Sequence, residues 1–404
     1  MSSITGPMQM TPPTPAEPVD SPSPSYAAQV IGDTVAQWQA KIALAWIAVI
    51  AILACLAPIV ASSNPILIRI DGHWSSPMLN SLSWIDLVLL VLLGGITALQ
   101  FFNRLGIARK LCVLALGVLA VSCIYWWRGP APQNMVYERF RDAQKSGHVQ
   151  FVLNAPIPFS ASDRLRDQLD PRLMPPSPEH WLGTEEFGAD VLSRMIHACR
   201  IALAMGFVAS GIAVLIGIIV GGIMGYFAGI TDILGMRLIE IFEAIPTLFL
   251  MITLVAFFPS EDYRLPMLMI IIGIVGWTPY ARYLRAEFLS LRQRDFVYAA
   301  QAAGLPLRSI LFRHMLPNGI TSVVINLSFG IAGAILAEST LSFLQLGVVD
   351  QPSWGAMLSQ ATGQGGQFVW WMALYPGLAI FLTVFAYILL GEAVNDALDP
   401  RRRR

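Results

Sequence analysis

The sequence predicts an all-α membrane protein of about eight transmembrane helices, and three observations predict it. Hydrophobic residues make up 55% of the 404 and charged residues only 13%, a balance suited to lipid rather than water as solvent. Apolar runs of about twenty residues, long enough for a hydrocarbon core of roughly 30 Å, recur along the chain. The formal net charge is +0, yet Lys and Arg collect on alternate loops between those runs, which orients the chain.

Residues 1–41 read as a cytoplasmic N-terminal tail. Its first 25 positions are rich in Pro, Ser and Thr and bury too little apolar surface to offset the entropy of ordering, so disorder is expected there. Residues 26–42 form either a short interfacial helix or a linker. Three spans follow within 42–127, at 42–60, 85–102 and 111–127. The first lacks a basic leader and precedes many further apolar runs, so it reads as a retained signal anchor. Residues 128–200, with many prolines between Pro130 and Pro178, read as an external, periplasmic region with short strands at 151–153 and 157–159. A five-helix core over 201–392 follows, with spans at 201–227, 236–258, 267–283, 320–337 and 373–390 and a long loop at 284–319. Residues 393–404 are a basic C-terminus.

Loop charges set the sidedness. One set of loops holds Arg104, Arg109, Lys110, Arg237, Arg282, Arg285, Arg292, Arg294, Arg308 and Arg313, with Arg401 to Arg404 at the end; the other holds only Arg69 and Arg264. Both termini and the 284–319 loop are therefore expected in the cytoplasm. Cys55, Cys112, Cys123 and Cys199 fall in or beside apolar runs without metal or redox spacing, and read as core or lipid-facing residues. His73, His148, His180, His197 and His314 are scattered and form no HExxH pair, which argues against an intramembrane hydrolase. No GxxxxGK[ST] phosphate loop is present, so this chain is not expected to bind ATP or any other cofactor or metal. Nothing points to nucleic acid.

The most informative stretch lies in the long loop. From Asp295 through Tyr298, Ala299 and Ala300 the residues favour helix, Gly304 suits a left-handed stop, and a second helix starts before Ile310 and runs through Arg313, His314, Leu316, Pro317 and Asn318. Periodicity alone fits an ordinary cytoplasmic helical loop or a docking helix. The order Ala299 Ala300, Gly304, then His314, Leu316 and Pro317 resembles the "EAA" loop of ABC importer permeases. His180 Trp181 Leu182 Gly183 Thr184, Gly188, Asp190 to Arg194, Glu338, Leu341 to Leu344, Leu346 to Val348, Pro352 to Gly355, Gly391, Glu392 and Asn395 to Arg401 resemble the dipeptide, oligopeptide and nickel permeases, most of all their second, C-type subunit. Upstream, Asn64 to Arg69, Asp71, Gly72 and Ala155 to Phe159 are similar to the Yej-type permeases for microcin C and oligopeptides.

That resemblance implies a permease subunit forming half of a heterodimeric pathway for oligopeptides or peptide-like antibiotics. It implies a second homologous permease, two cytoplasmic ATPases that bind ATP and Mg, an extracytoplasmic solute-binding protein, and a bacterial inner membrane. The coupling helix would cover about 298–307, with Arg308, Arg313 and His314 supporting the second helix. Nickel or another small solute is the alternative cargo. An ATP-independent secondary transporter would call for inverted repeats, and none is seen. Tyr298 stands where the pattern has its first glutamate, and the spans at 85–102 and 111–127 are extra to the usual six.

Acidic residues in apolar spans are costly and usually functional or paired. Glu243 and Glu338 are candidate pathway residues, whereas Glu240 is expected to pair with Arg237 one turn earlier. Trp277, Trp354, Trp370 and Trp371 are expected as interface anchors, and Pro246, Pro279 and Pro376 as helix kinks.

Overall fold

The computed structural model describes residues 26–70, 72–101, 106–129, 137–146, 149–167, 170–258, 263–348, 351–362 and 367–398. The expected tail at 1–25, Arg104, His148 and Arg401 to Arg404 lie outside them. In chain order come α1 (Tyr26–Ala36), α2 (Trp38–Val60), β1 (Leu67–Ile70), β2 (His73–Ser75), α3 (Pro77–Ser81), α4 (Trp84–Gln100), α5 (Ile107–Arg128), α6 (Glu138–Lys145) and β3 (Val149–Leu153). The remainder is helical: α7 (Val191–Ala204), a π turn (Met205–Ala209), α8 (Ser210–Phe227), α9 (Gly229–Ala244), α10 (Thr247–Phe257), α11 (Arg264–Val275), α12 (Thr278–Leu291) and α13 (Asp295–Ala302). Then come α14 (Leu307–Ser309), a second π turn (Ile310–Met315), α15 (Leu316–Gly319), α16 (Thr321–Phe343), α17 (Trp354–Ser359) and α18 (Trp370–Leu398).

Among the described residues, five helices are long and apolar enough to cross a membrane alone, and two bent pairs bring the number to seven. The 17-residue α4, about 25 Å at 1.5 Å per residue, is the eighth apolar helix. The run 236–258, expected as one span, is instead α9 and α10 meeting at 85°. Pro246 explains the break: the preceding Ile245 takes an extended ψ of 124°, because a proline ring disfavours helical geometry in the residue before it. Pro279 opens α12 just after the 42° bend between α11 and α12. Pro376 interrupts nothing, since α18 runs 29 residues through it. The helix expected to begin at 201 starts ten residues earlier, because Asp190 accepts a hydrogen bond from the Ser193 N–H at 2.8 Å and caps α7.

Residues 26–36 are a helix packed on the bundle rather than a linker: Gln37 Nε2 beyond it donates to the Ala393 carbonyl of α18 at 3.2 Å. A three-stranded antiparallel sheet, ordered β2-β1-β3, joins the two segments that flank the α4–α5 hairpin. The strand expected at 151–153 is β3, whereas 157–159 forms only an isolated bridge between Ile157 and Ala61.

The most extensive helix contact is α8 on α12. Gly217, Gly221 and Gly225 recur every fourth residue on one face of α8, and at each a Cβ would press on the α12 backbone, 2.9 Å from the Ala281 Cα in the case of Gly221. The α4–α5 hairpin packs more lightly on α2 and is latched by charge. Asp86, only 7% exposed, completes a capping box with Ser83 and is ion-paired to Arg200 of α7. The same guanidinium donates through Nε to the Ala54 carbonyl of α2 at 2.6 Å, so one side chain joins three helices.

The tryptophans depart from expectation. Of the four expected as anchors, Trp277, Trp354 and Trp371 are buried and Trp370 is substantially exposed. Trp354 and Trp371 each donate Nε1 to a backbone carbonyl, of Met195 and Thr184, at 3.2 Å, and Trp277 packs edge-on to Phe242. A buried indole usually finds a partner for its N–H, as those of Trp354 and Trp371 do here.

Candidate coupling segment

The stretch singled out in the sequence folds as a helix, a left-handed turn and a second helix at one end of the core. Helix α13 buries Val297 and Ala300 in a cluster with Leu284 and Phe288 of α12, Ile310, Met315, and Val323 of α16. It ends in a Schellman arrangement: Gly304 takes φ +68°, its N–H donates to Gln301 O at 2.9 Å, and Leu305 N–H reaches back to Ala300 O at 3.2 Å. Asp295 lies in the first turn of α13, where a carboxylate complements the helix dipole. The side chains turned away from the cluster are Phe296, Tyr298, Ala299, Leu305 and Leu307, with Tyr298 55% exposed. Such an apolar, alanine-smooth face on a helix anchored from beneath is fit to seat in a protein groove.

The second helix opens with Leu307–Ser309 and widens into the π turn before Pro317, which has no N–H to donate to Arg313. Arg308 and Arg313 are exposed and make no ion pair among the described residues. His314 is half-buried, and its carbonyl accepts from Asn318 Nδ2 at 2.6 Å. Leu316 joins the rim of the cluster while Pro317 is exposed.

Ion pairs brace the helices around this segment. Arg285 of α12 makes a two-pronged pair with Asp232 of α9. Arg282 pairs with Glu243 at 2.5 Å, and Arg237 pairs with Glu240 at 2.5 Å, as expected for Glu240. Arg292 donates to the Tyr226 carbonyl at 3.2 Å, at the negative end of α8, and Gln301 of α13 reaches the Tyr226 hydroxyl at 3.3 Å. Glu243 is thus occupied by a guanidinium.

Glu338 lies near the other end of α16, roughly 26 Å along the helix at 1.5 Å per residue. It is 2% exposed, and hydroxyls surround it: Ser342 Oγ and Ser353 Oγ donate to Oε1 at 2.6 and 2.7 Å, and Ser339 Oγ to Oε2 at 3.4 Å. Those donors satisfy a carboxyl that hydrocarbon would penalise, and they tie α17 to α16. Glu243 and Glu338 are therefore not brought together. Beyond Ser342 opens a polar cleft of about 730 Å³, lined in part by Glu138, Arg164, Glu185, Glu186 and Arg194. Glu185 pairs with Arg194 at 3.0 Å; burial pushes its carboxyl pKa up, against the opposing pull of that arginine.

The motif at 180–194 is the structural start of α7. His180 Nδ1 lies 2.9 Å from Asp190 Oδ2, and Gly183 and Gly188 take the positive φ values that let the loop fold back on itself. Among the described residues no group of three His, Cys, Asp or Glu side chains is placed to hold a metal ion. The sequence reading missed the braces Asp232–Arg285 and Asp86–Arg200 and the glycine stripe of α8. The Gly217, Gly221, Gly225 spacing was a visible signal for the last; the ion pairs link residues 53 and 114 positions apart and carry no local signature.

The model for the binding-protein-dependent transport system inner membrane component matches residues 213–404. The inner membrane ABC transporter permease protein YejE of Escherichia coli (strain K12) is 30% identical over 351 residues, 87% of this chain and 90% of that protein. The dipeptide transport system permease protein DppC of Alkalihalophilus pseudofirmus is 37% identical over 234 residues, 57% of this chain and 75% of its own length. The oligopeptide transport system permease protein OppC of Haemophilus influenzae is 37% identical over 262 residues, 63% of this chain and 81% of its own. With its apolar spans, its 295–319 segment and these relatives along most of its length, the chain belongs to the family of inner-membrane components of binding-protein-dependent transport systems, as a multi-pass membrane protein.

Proposed function

We propose that this chain is a permease subunit of an ATP-driven peptide importer, forming half of the translocation pathway and receiving the motor's movement through α13. The observation that carries the proposal is the exposed face of Tyr298, Ala299 and Leu305 on a helix whose other face, Val297 and Ala300, is buried in the core. A push on that helix is transmitted through Phe288 and Leu284 to α12, and across the glycine contact to α8. Relatives named for dipeptide and oligopeptide transport support peptides as the cargo. The partners are a second homologous permease, two ATPases holding ATP and Mg, and an extracytoplasmic binding protein. The loop arginines support cytoplasmic termini, with the polar cleft on the outer side.

The test is crosslinking together with uptake. Tyr298→Cys, in the assembled transporter, should crosslink to an ATPase subunit, and uptake of a labelled tripeptide into proteoliposomes should require ATP. Uptake that persists without the ATPases would overturn the coupling role, and a complex that carries nickel but no peptide would overturn the cargo.

A further inference from the structure

A second cavity, of about 340 Å³ and half open to the surroundings, lies where α11 and α12 meet at their bend, between the start of α8 and the middle of α16. Its size is at the lower end of small-molecule sites, roughly 300–1,000 Å³. Its lining is small or apolar and contains no Asp, Glu, Lys or Arg. Two hydroxyls on it, Ser210 Oγ and Tyr280 Oη, are on side chains 3% and 4% exposed, and neither has a hydrogen-bond partner among the described residues. Buried polar atoms are rarely left so, because each unmade hydrogen bond is costly. A third polar group, Asn326, spends its amide N–H on the Ser322 carbonyl at 2.8 Å, which leaves its carbonyl oxygen as an acceptor.

The glycines of α16 shape this space. Asn326, Gly330 and Gly333 fall on one helix face; a Cβ at 330 would overlap the Tyr280 hydroxyl, so glycine there lets the phenol lie against the helix, while Gly333 faces open space. A helix pair broken beside a cavity is the arrangement in which membrane transporters expose backbone and polar groups to cargo.

We infer that this cavity is a subsite for one uncharged, apolar side chain of the transported peptide together with its flanking amide. The inference rests on the peptide reading above and adds a preference to it. A lipid chain would fill the apolar walls but leave both hydroxyls and the Asn326 oxygen unpaired. A charged side chain would find no counter-ion. An amide carries both the donor and the acceptor that these groups lack, and the small, apolar lining receives the side chain.

The experiment uses the whole transporter in proteoliposomes and compares uptake of trileucine and triglycine. Gly333→Leu starts a side chain at a Cβ position with nothing within 4 Å and fills part of the open space, and should raise KM for trileucine relative to triglycine by about tenfold, the scale of a few methylenes in an apolar pocket. Gly94→Leu on α4, equally open, should leave that ratio unchanged. Tyr280→Phe keeps the shape and removes one hydroxyl, and should raise KM for both peptides roughly three- to tenfold. If wild type takes up both peptides and Gly333→Leu leaves the KM ratio unmoved, the subsite is overturned while the importer stands. If wild type takes up neither, the peptide reading fails and the subsite with it. A lipid held by the wild-type complex and lost from Gly333→Leu in native mass spectrometry also overturns it.

Discussion

Replacing Gly304 tests whether the turn after α13 transmits movement. At φ +68° with nothing within 4 Å of an added Cβ, Gly304→Ala meets no clash and only the cost of a left-handed backbone, about 1–2 kcal/mol. Gly304→Asn costs less, since Asn visits that region more readily. Gly304→Pro differs in kind. Its ring holds φ near −65°, removes the N–H bonded to Gln301, and swings Leu305 away from Ala300, so two hydrogen bonds of about 0.5–1.5 kcal/mol each are lost and the native turn has no accessible form. ATP-driven tripeptide uptake, normalised to chain present in the membrane, should rank Gly and Asn first, Ala reduced by up to about 5–30-fold if uptake follows the turn equilibrium, and Pro abolished. Hydrogen exchange at Gly304 and Leu305 should follow the same order. Normal uptake by Gly304→Pro refutes the coupling role, and an alanine variant as inactive as the proline one refutes the backbone explanation.

Three further outcomes are expected. Gly221→Val must part α8 from the α12 backbone and should cost about 1–3 kcal/mol or more, whereas Gly222→Val, one residue on, meets only the Phe288 and Leu284 side chains at 3.4 Å or beyond; equal melting temperatures for the two variants would contradict the packing described. Arg200→Ala leaves the buried Asp86 unpaired, a loss of about 3–5 kcal/mol, read as a lower melting temperature and faster proteolysis around the α4–α5 hairpin; Asp86→Asn with Arg200→Met should recover much of it. The Arg141 guanidinium, bonded to Asp167 at 2.7 Å, holds the Asp167 carboxyl below its ordinary value of 3.8, with hydrogen bonding the main cause. A lowered folded-state pKa gives stability that is present above the unfolded value and lost as the pH falls through the folded one. The melting temperature should therefore decline below about pH 3.8, and Arg141→Ala should flatten that decline; an unchanged slope would refute the brace.

Most of the apolar helices and the helix–turn–helix at 295–319 were legible in the sequence because each depends on neighbours in the chain, whereas the break inside 236–258 was not. Hydropathy over twenty residues selects a membrane helix, and a glycine six residues after Tyr298 permits the left-handed stop. Asp190 at the head of α7 was within the matched motif, yet its capping role emerged only with Ser193 N–H beside it. Pro246 signalled a kink, but the 85° angle between α9 and α10 depends on how both helices pack.

The sequence by itself determined that this is a multi-span membrane protein with a helix–turn–helix in its longest basic loop, since composition, charge placement and residue spacing are one-dimensional quantities. Only the tertiary structure decided that Glu338 is enclosed by three serines, that Trp277, Trp354 and Trp371 are buried, and that Ser210, Tyr280 and Asn326 share a cavity. The physical reason is distance along the chain. Ser353 and Glu338 are 15 residues apart and Arg200 and Asp86 are 114 apart, and such pairings are set by which helix faces meet, a choice that glycine contacts and broken helices make in three dimensions.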